Sequence, residues 1–502
     1  MIIWSNISPH TKYRILEIIP GLSIWLTFFL ALVLSFVVPL WVIYFIIVFD
    51  FYWLIRVVYV FVYLIIAYVR YRRDIRVNWL AACQKIPKWT GIYHLVVIAS
   101  YKDEIEIIRT SLLYLTKISY PLDKLIVVLA LEEREGAEAQ AKARLIEGEF
   151  SGKFFKFFWA LHPKDTPGEV AGKGSNIAYA GRQIKKWIDA ARIPYENIAV
   201  SSFDVDSCVH PEYFSYLTYK YLTVANPTHT SFQPIPLFNN NIWDSPALMR
   251  VASNSTTFWL MSETLRPDRL FTFSSHSMSF KALIDVDFWQ SDIVTEDSRI
   301  FIQGFIQYDG DYQVTPMYIP ISMDTVLGKN NWESLKNLYK QQRRWAYGVE
   351  NFPFMFWNFF PNSKIRVWPK LRYIWNQLEG VYSWATAPIL IFVLGRLPVW
   401  VIRHFERPEI YNPVVSNTPN ILNWLMGAAM IGLFISAILS LIILPPRPKK
   451  HTYLKYPLMA LQWILFPISM IVFGSFPAID AQTRLMLGKY LGFQTTKKVR
   501  KT

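Results

Sequence analysis

Two cysteines in 502 residues leave no basis for a disulfide framework. Cys83 and Cys208 are also too few for a thiolate metal site. Acids are scarce, with 37 Asp and Glu against 52 Lys and Arg. Charge is missing altogether from Ile18 to Phe49, and only Asp50 and Arg56 interrupt the run on to Val69. A bilayer crossing needs roughly 20 apolar residues, so Ile18–Val69 has room for two helices, with Pro39 near the turn between them. The stretch has neither the short apolar core nor the small-residue cleavage site of a signal peptide. No internal repeat or low-complexity tract is present, which argues against solenoids and linker arrays.

What is present is grease and positive charge. Hydrophobic residues make up 53% of the chain and aromatics 17%, too apolar for an ordinary soluble protein. The net charge of +15 gathers beside the apolar segments: Arg70, Arg72, Arg73 and Arg76, then Arg447, Lys449 and Lys450, then Lys497, Lys498, Arg500 and Lys501. That placement matches positive-inside topology and contact with anionic lipid, not nucleic-acid binding. It predicts an integral membrane protein with its polar domain, and both cysteines, in the cytoplasm.

Residues 77–350 carry no span-length apolar run and form the expected polar domain, behind two transmembrane helices in 1–76. The aromatic, partly basic stretch 351–378 reads as amphipathic helices lying in the membrane interface, with core packing as the plainer alternative. Residues 379–478 hold the C-terminal spans, in apolar stretches at about 378–402, 421–444 and 457–475, and 479–502 form a tail. A tail on the same side as the domain needs an even number of crossings. One of the three stretches must then be re-entrant or broken, at Pro467 or at Gly395 with Pro398.

The polar domain has the period of βαβ units. Strands are expected at 93–100, 123–131, 154–161 and 196–207, with helices at 103–117, 137–150 and 172–188 between them. Such alternation gives a parallel sheet with ligands at the carboxyl ends of its strands. "FDVDS" puts Asp204 and Asp206 at such an end. Two carboxylates there can hold one hard cation, Mg²⁺ or Mn²⁺, against phosphate oxygens. A solvated turn is the plain alternative. "VTEDSRI" offers Glu296 and Asp297 as general bases, or simply Thr295 as a helix cap followed by acids. "QQRRW" places Gln341, Arg344 and Trp345 on one helix, where Arg gives a fork for phosphate and Trp a flat face. An interfacial basic-aromatic helix would read the same.

Taken together and in this order, the motifs resemble the membrane-integrated family 2 glycosyltransferases, such as cellulose synthase, hyaluronan synthase and chitin synthase. "ASYKDE" is similar to the family's first-strand motif near the nucleotide, with Tyr101 and Glu104 in the matching places. "GKGSN" resembles a donor-site segment, with Lys173 and Asn176, and "FDVDS" resembles the metal-binding stretch, with Asp204 and Asp206. "FQPIPL" is similar to an acceptor segment that includes Gln233. "TED" matches the motif whose last acid, here Asp297, is the family's base. In "QQRRW", Gln341 and Arg344 fall at the diphosphate and Trp345 at the acceptor entrance. "GFQTTKK" resembles a gating loop, with Phe493, Thr496 and Lys498 over the nucleotide. Two departures stand out. "LALEERE" offers Glu132 or Glu133 where the family has an Asp near base and ribose, and "FSSHS" puts the bulky His276 beside the acceptor sugar.

The resemblance implies an α/β fold: a Rossmann-like glycosyltransferase A-type domain with a mostly parallel sheet. It would be inserted between N- and C-terminal transmembrane helices and interfacial amphipathic helices. It implies a metal-dependent, inverting hexosyltransferase that moves sugar from a UDP-sugar to the hydroxyl of a growing glycan, in processive synthesis coupled to translocation. Non-processive transfer of one sugar to a membrane lipid or short glycan is the alternative. Membrane lipids, a glycan or lipid-linked acceptor, export partners and a homo-oligomer are the implied partners.

Overall fold

The computed structural model describes residues 7–492. Its polar part is built on an eight-stranded sheet in the order β3-β2-β1-β4-β7-β6-β8-β5. The first four strands are β1 (Tyr93–Ala99), β2 (Leu125–Glu132), β3 (Lys156–His162) and β4 (Ile198–Asp204). All pair in parallel. β7 (Ser277–Ser279) runs antiparallel between β4 and β6 (Thr230–Phe238), β8 (Gln313–Met323) is parallel to β6, and β5 (Cys208–Val209) closes the edge antiparallel to β8.

Period 2 along β1 explains why the sheet is covered on both faces. Leu95 and Val97 enter one core with Ile177 and Ile184, while Val96 and Ile98 enter the other with Ile107 and Leu112. The near-continuous apolar runs of β1 and β2 follow from this double burial. The covering helices include the crossovers α3 (Ile105–Leu115), α4 (Ala137–Phe150) and α5 (Lys173–Ala190), and α6 (Tyr213–Thr223). β1 starts where the sequence pattern predicts, and β2, β3 and β4 start two residues later. β4 stops at Asp204 instead of running to 207, because the chain turns there: the Ser207 amide donates to the Asp204 carbonyl at 3.0 Å. Further helices are α7 (Ala247–Glu263), α8 (Glu296–Gln307) and α9 (Asn331–Ala346).

Among the described residues, four helices are long and apolar enough to cross a membrane: α1 (Pro9–Val37), α2 (Pro39–Asp74), and two in the C-terminal part, Pro413–Ile442 and Lys455–Met486. Only 11% to 39% of their most apolar windows is covered by protein, so lipid is the natural cover for the rest. The stretch read as interfacial forms α10 (Asn351–Phe359) and the start of α11 (Val367–Phe392). α10 buries Phe352, Met355 and Phe359 in the domain core, while α11 turns Trp368 and Trp375 outward. α11 does not stop at 378 but continues into the first C-terminal apolar stretch. It then bends by 45° into α12 (Leu394–His404). The break falls at Val393, two residues before Gly395, which with Pro398 was one of the two breaks the sequence offered. At the other, Pro467, the final helix carries on through 3-10 and π turns. With α13 (Pro413–Ile442), this makes the final helix α14 (Lys455–Met486).

The two ends of the chain meet in this bundle. Gly21 of α1 lies so close to α14 that a Cβ there would stand 2.8 Å from the Gln482 carbonyl. Arg14 donates to the last carbonyls of α14, Leu485 at 3.2 Å and Met486 at 3.0 Å, where a cation also suits the helix dipole. Arg14 is itself paired with Glu17.

Helix α5 rests on the core through Gly181, where an added Cβ would lie 2.8 Å from the Phe288 ring. Phe288 is buried and edge-on to Phe280, so it has nowhere to move. Gly181→Val should therefore lower stability by about 1–3 kcal/mol, read as a lower thermal-unfolding midpoint of the purified protein.

Candidate active site

Three chain segments converge at the carboxyl ends of the parallel strands. β4 ends at Asp204, in register with Ala99 at the end of β1. α5 begins at Lys173, and α8 begins with Glu296 and Asp297. Lys173 joins them: its Nζ is 2.8 Å from Asp204 Oδ1, and 2.9 and 3.0 Å from the two oxygens of Asp297. Burial opposes the charge on Lys173, but Asp204, Asp297 and Glu296 together outweigh it and hold the ammonium above its ordinary value. Gly174 lets α5 come this close, since a Cβ there would stand 2.8 Å from the Gln290 carbonyl and 3.1 Å from Glu296 Cβ.

The two acids of α8 are unlike. Asp297 is part-exposed and paired with Lys173. Glu296 is buried, and neither of its carboxyl oxygens has a hydrogen-bond partner. Burial, with Asp297 beside it, pushes the Glu296 carboxyl well above the usual range, against the pull of Lys173 and Arg344. The start of α8 is braced from below. Thr295 does not cap the helix with its side chain; its hydroxyl donates to Glu350. Arg299 donates to Asn351 Oδ1 at 2.7 Å and to Gln290 Oε1 at 2.9 Å.

The segment 272–277 packs over this cluster. Ser274 Oγ donates to Asp204 Oδ2 at 2.6 Å, and Thr272 Oγ1 donates to the Asp297 carbonyl. His276 is wholly buried, and burial lowers its pKa despite Asp297 nearby. Its Nδ1 donates to the Phe273 carbonyl at 3.0 Å, which fixes the tautomer and leaves Nε2 buried without a partner. Nδ1 also lies 3.7 Å from Asp297 Oδ1. Gln233 is buried with its amide engaged at both ends: Oε1 accepts from the Phe273 amide at 2.7 Å, and Nε2 donates to the Pro234 carbonyl. In this geometry it braces segment 272–277.

Asp206 is fully buried, and its Oδ2 accepts the Asp324 amide at 2.7 Å. Asn240 holds the Asp206 carbonyl at 3.1 Å. Among the described residues, no group of three or more His, Cys, Asp or Glu side chains forms a ligand set. Asp204 and Asp206 are oxygen donors of the type a hard divalent cation takes, and such a cation fills its remaining positions with water and phosphate oxygens. The donor set fits Mg²⁺ or Mn²⁺ on those terms.

The other sequence-predicted residues lie around this centre. Asn176 ties α5 to β2 by donating to the Ala130 carbonyl at 2.9 Å. Glu132, at the end of β2, pairs with Arg134, whose guanidinium lies 3.9 Å over the Tyr101 ring. Glu104 is exposed at the start of α3. Gln341 and Trp345 line a small cleft with Asp324 and Phe238, and the Trp345 ring is 5.8 Å from that of Phe238. Phe493, Thr496 and Lys498 lie outside the described residues.

Sequence reasoning missed Ser274, Thr272 and Asp324. Ser274 and Thr272 lie two and four residues before the His276 it singled out. Asp324 directly follows β8, just as Asp204 closes β4, so an acid at a parallel-strand end was the available signal.

No protein-family model matches the chain, and no curated protein matches it. Solved structures similar to it include the mannosyltransferase PcManGT from Pyrobaculum calidifontis in complex with GDP-Man and Mn²⁺. That likeness has 14% identity and a TM-score of 0.42, and covers 75% of this chain and 99% of the other. Another is S. aureus TarS 1-349 in complex with UDP-GlcNAc, at 12% identity and a TM-score of 0.35, covering 69% and 90%. Both likenesses are distant in fold as well as in sequence.

The unpartnered Glu296 has a measurable consequence. The folded protein holds a proton there above the ordinary value of 4.5, while the unfolded chain releases it. Stability is therefore greatest below that value and falls as pH rises through the raised one. Glu296→Gln should flatten this fall, seen as a smaller drop in thermal midpoint between mildly acidic and mildly alkaline buffer.

Proposed function

We propose that the chain is a membrane-integrated nucleotide-sugar glycosyltransferase with an A-type domain. On this reading it transfers a hexose from a UDP-sugar to the hydroxyl of a growing glycan, with inversion. The observation that carries the reading is the ion-paired cluster of Asp204, Lys173 and Asp297 at the carboxyl ends of parallel strands. It brings a phosphate-side carboxylate, a buried cation and a base candidate from three distant segments to one point. A structural ion pair would not need segment 272–277 laid over it, with Ser274 on Asp204 and Thr272 on the Asp297 carbonyl.

Asp297 acts as the general base. It is the acid of the pair that reaches the open side, whereas Glu296 is enclosed. The acceptor oxygen attacks the anomeric carbon and gives its proton to an Asp297 oxygen. The bond from that carbon to the diphosphate oxygen breaks, and its electron pair leaves with the UDP. Displacement from the opposite face inverts the centre. A divalent cation, Mg²⁺ or Mn²⁺, would be held by Asp204 and Asp206 and would supply positive charge against the leaving diphosphate. Lys173 holds the two carboxylates together until donor phosphate competes for its protons, which frees Asp297 to accept one. Arg344 adds charge from α9, and Trp345 offers a face on which an acceptor sugar stacks. Glu132 with Arg134 and Tyr101 would meet the nucleoside. Polymerisation, not single transfer, is proposed from the Gln-x-x-Arg-Trp pattern on α9 beside the membrane helices.

The test is UDP release by the purified protein against a panel of UDP-sugars, with product sizing. We expect turnover with one donor, loss on chelation of divalent cations, and a fall of about 10²–10⁴-fold in Asp297→Asn. Turnover unchanged in that variant would remove Asp297 from its role. No release with any donor and added acceptor would remove the transferase reading.

A further inference from the structure

A second cavity, of about 390 Å³, lies away from the carboxylate cluster, between α2, the turn after α7 and the first half of α11. Four arginines line it, Arg56, Arg266, Arg269 and Arg372, against one carboxylate, Glu379. Its volume is in the range of small-ligand sites. Tyr52, Tyr59 and Trp375 complete its polar-aromatic wall.

Its height can be read from α2. Arg56 lies 17 residues beyond Pro39, the start of α2, and so about 26 Å along the helix at about 1.5 Å per residue. A hydrocarbon core is about 30 Å thick, so a helix that starts at one face reaches the other near Arg56 and Tyr59. Ile55 and Val58 are exposed apolar residues on the same stretch, and Trp375 is exposed on α11. The cavity thus opens where headgroup and acyl chain meet, on the side of the membrane that carries the polar domain.

The pairing of the arginines shows what the cavity is built to hold. Arg56 is committed to Glu379, and Arg269 to Glu263. Arg266 and Arg372 instead share Asp268: Arg266 is 3.1 Å from Oδ1, and Arg372 Nη1 is 3.9 Å from Oδ2. Arg372 also donates to the Asp268 carbonyl at 3.3 Å. Asp268 is half-exposed and belongs to the turn itself. Beside the cavity, one carboxylate thus engages two of its wall arginines, Arg266 through a fork and Arg372 through a single nitrogen, as an external oxyanion could. Guanidinium forks match phosphate oxygens in pairs, and phosphate brings more charge than Asp268 does.

We infer that this cavity binds the phosphate headgroup of an anionic membrane lipid, whose chains lie along the apolar flank of α2 and α11. The inference rests on α2 crossing the bilayer and not on the transferase chemistry.

The test uses the full-length protein in detergent and its thermal-unfolding midpoint. Three probes are titrated: short-chain phosphatidic acid, the matching phosphatidylcholine, and inorganic phosphate. Phosphatidic acid should raise the midpoint in a saturable way, and the other two should not. Arg372→Gln and Arg266→Gln should each weaken that titration roughly tenfold, as loss of one charge-assisted hydrogen-bonding group implies. Arg144→Gln, exposed on α4, should leave it unchanged. Arg372 is half-exposed with few partners, so its variant remains decisive if Arg266→Gln does not fold. An equal shift with phosphatidylcholine, no shift with phosphatidic acid, or an unchanged titration in Arg372→Gln would overturn the inference. Inorganic phosphate matching phosphatidic acid would make this a small-anion site and overturn the lipid source.

Discussion

Everything at the strand ends depends on one buried ammonium. Without Lys173, Asp204 and Asp297 would face each other and Glu296 across a poorly solvated space, and the starts of α5 and α8 would repel the end of β4. Removing one partner of a buried ion pair leaves the others uncompensated, which costs far more than the pair contributes. Lys173 therefore sets the relative positions of three elements that are distant in sequence. It also accounts for local choices: Gly174 instead of a larger residue, the burial of α5 from Lys173 to Ala178, and the hydroxyls of Ser274 and Thr272 where acceptors need satisfying.

The cluster is rigid because polar support continues outward from it. Glu350 and Asn351, where α9 gives way to α10, hold the start of α8 through Thr295 and Arg299. Arg343, next to the arginine that acts on Glu296, donates to Asp480 of α14 at 2.9 Å. Helices α8, α9 and α14 are thus connected through charged and amide side chains, not through apolar contact alone. Such contacts have direction and fixed length, so they specify one arrangement where greasy surfaces would tolerate several.

The chain's pattern disclosed much of this. Double-sided burial makes β1 and β2 read as continuous apolar runs, and acidic or glycine-led helix starts placed α3 and α5 within two residues. Strand ends were harder. The turn after Asp204 depends on a backbone hydrogen bond from Ser207, and nothing in "FDVDS" states it. Asp204 and Asp206 look equivalent in sequence, yet one is paired with Lys173 and the other buried against the Asp324 amide. That difference comes from β5 and β8, whose pairing links residues more than a hundred positions apart. Burial turns the Gln233 amide and the His276 Nδ1 toward the backbone of 273 and 234, a packing outcome that periodicity does not encode. Of the two breaks the sequence offered, the 45° bend falls two residues before Gly395, a choice the local sequence does not make.

The meeting of α1 with α14 has a consequence for biogenesis. A ribosome releases α1 more than four hundred residues before it completes the helix that α1 packs against, as the spacing from Gly21 to Gln482 shows. During that interval the guanidinium of Arg14 has no helix end to cap, and the groove at Gly21 has no occupant. The pairing of Arg14 with Glu17, one turn away, is local and so needs no part of α14 to form. The sheet domain, synthesised in between, emerges beside an unfinished bundle that α14 closes.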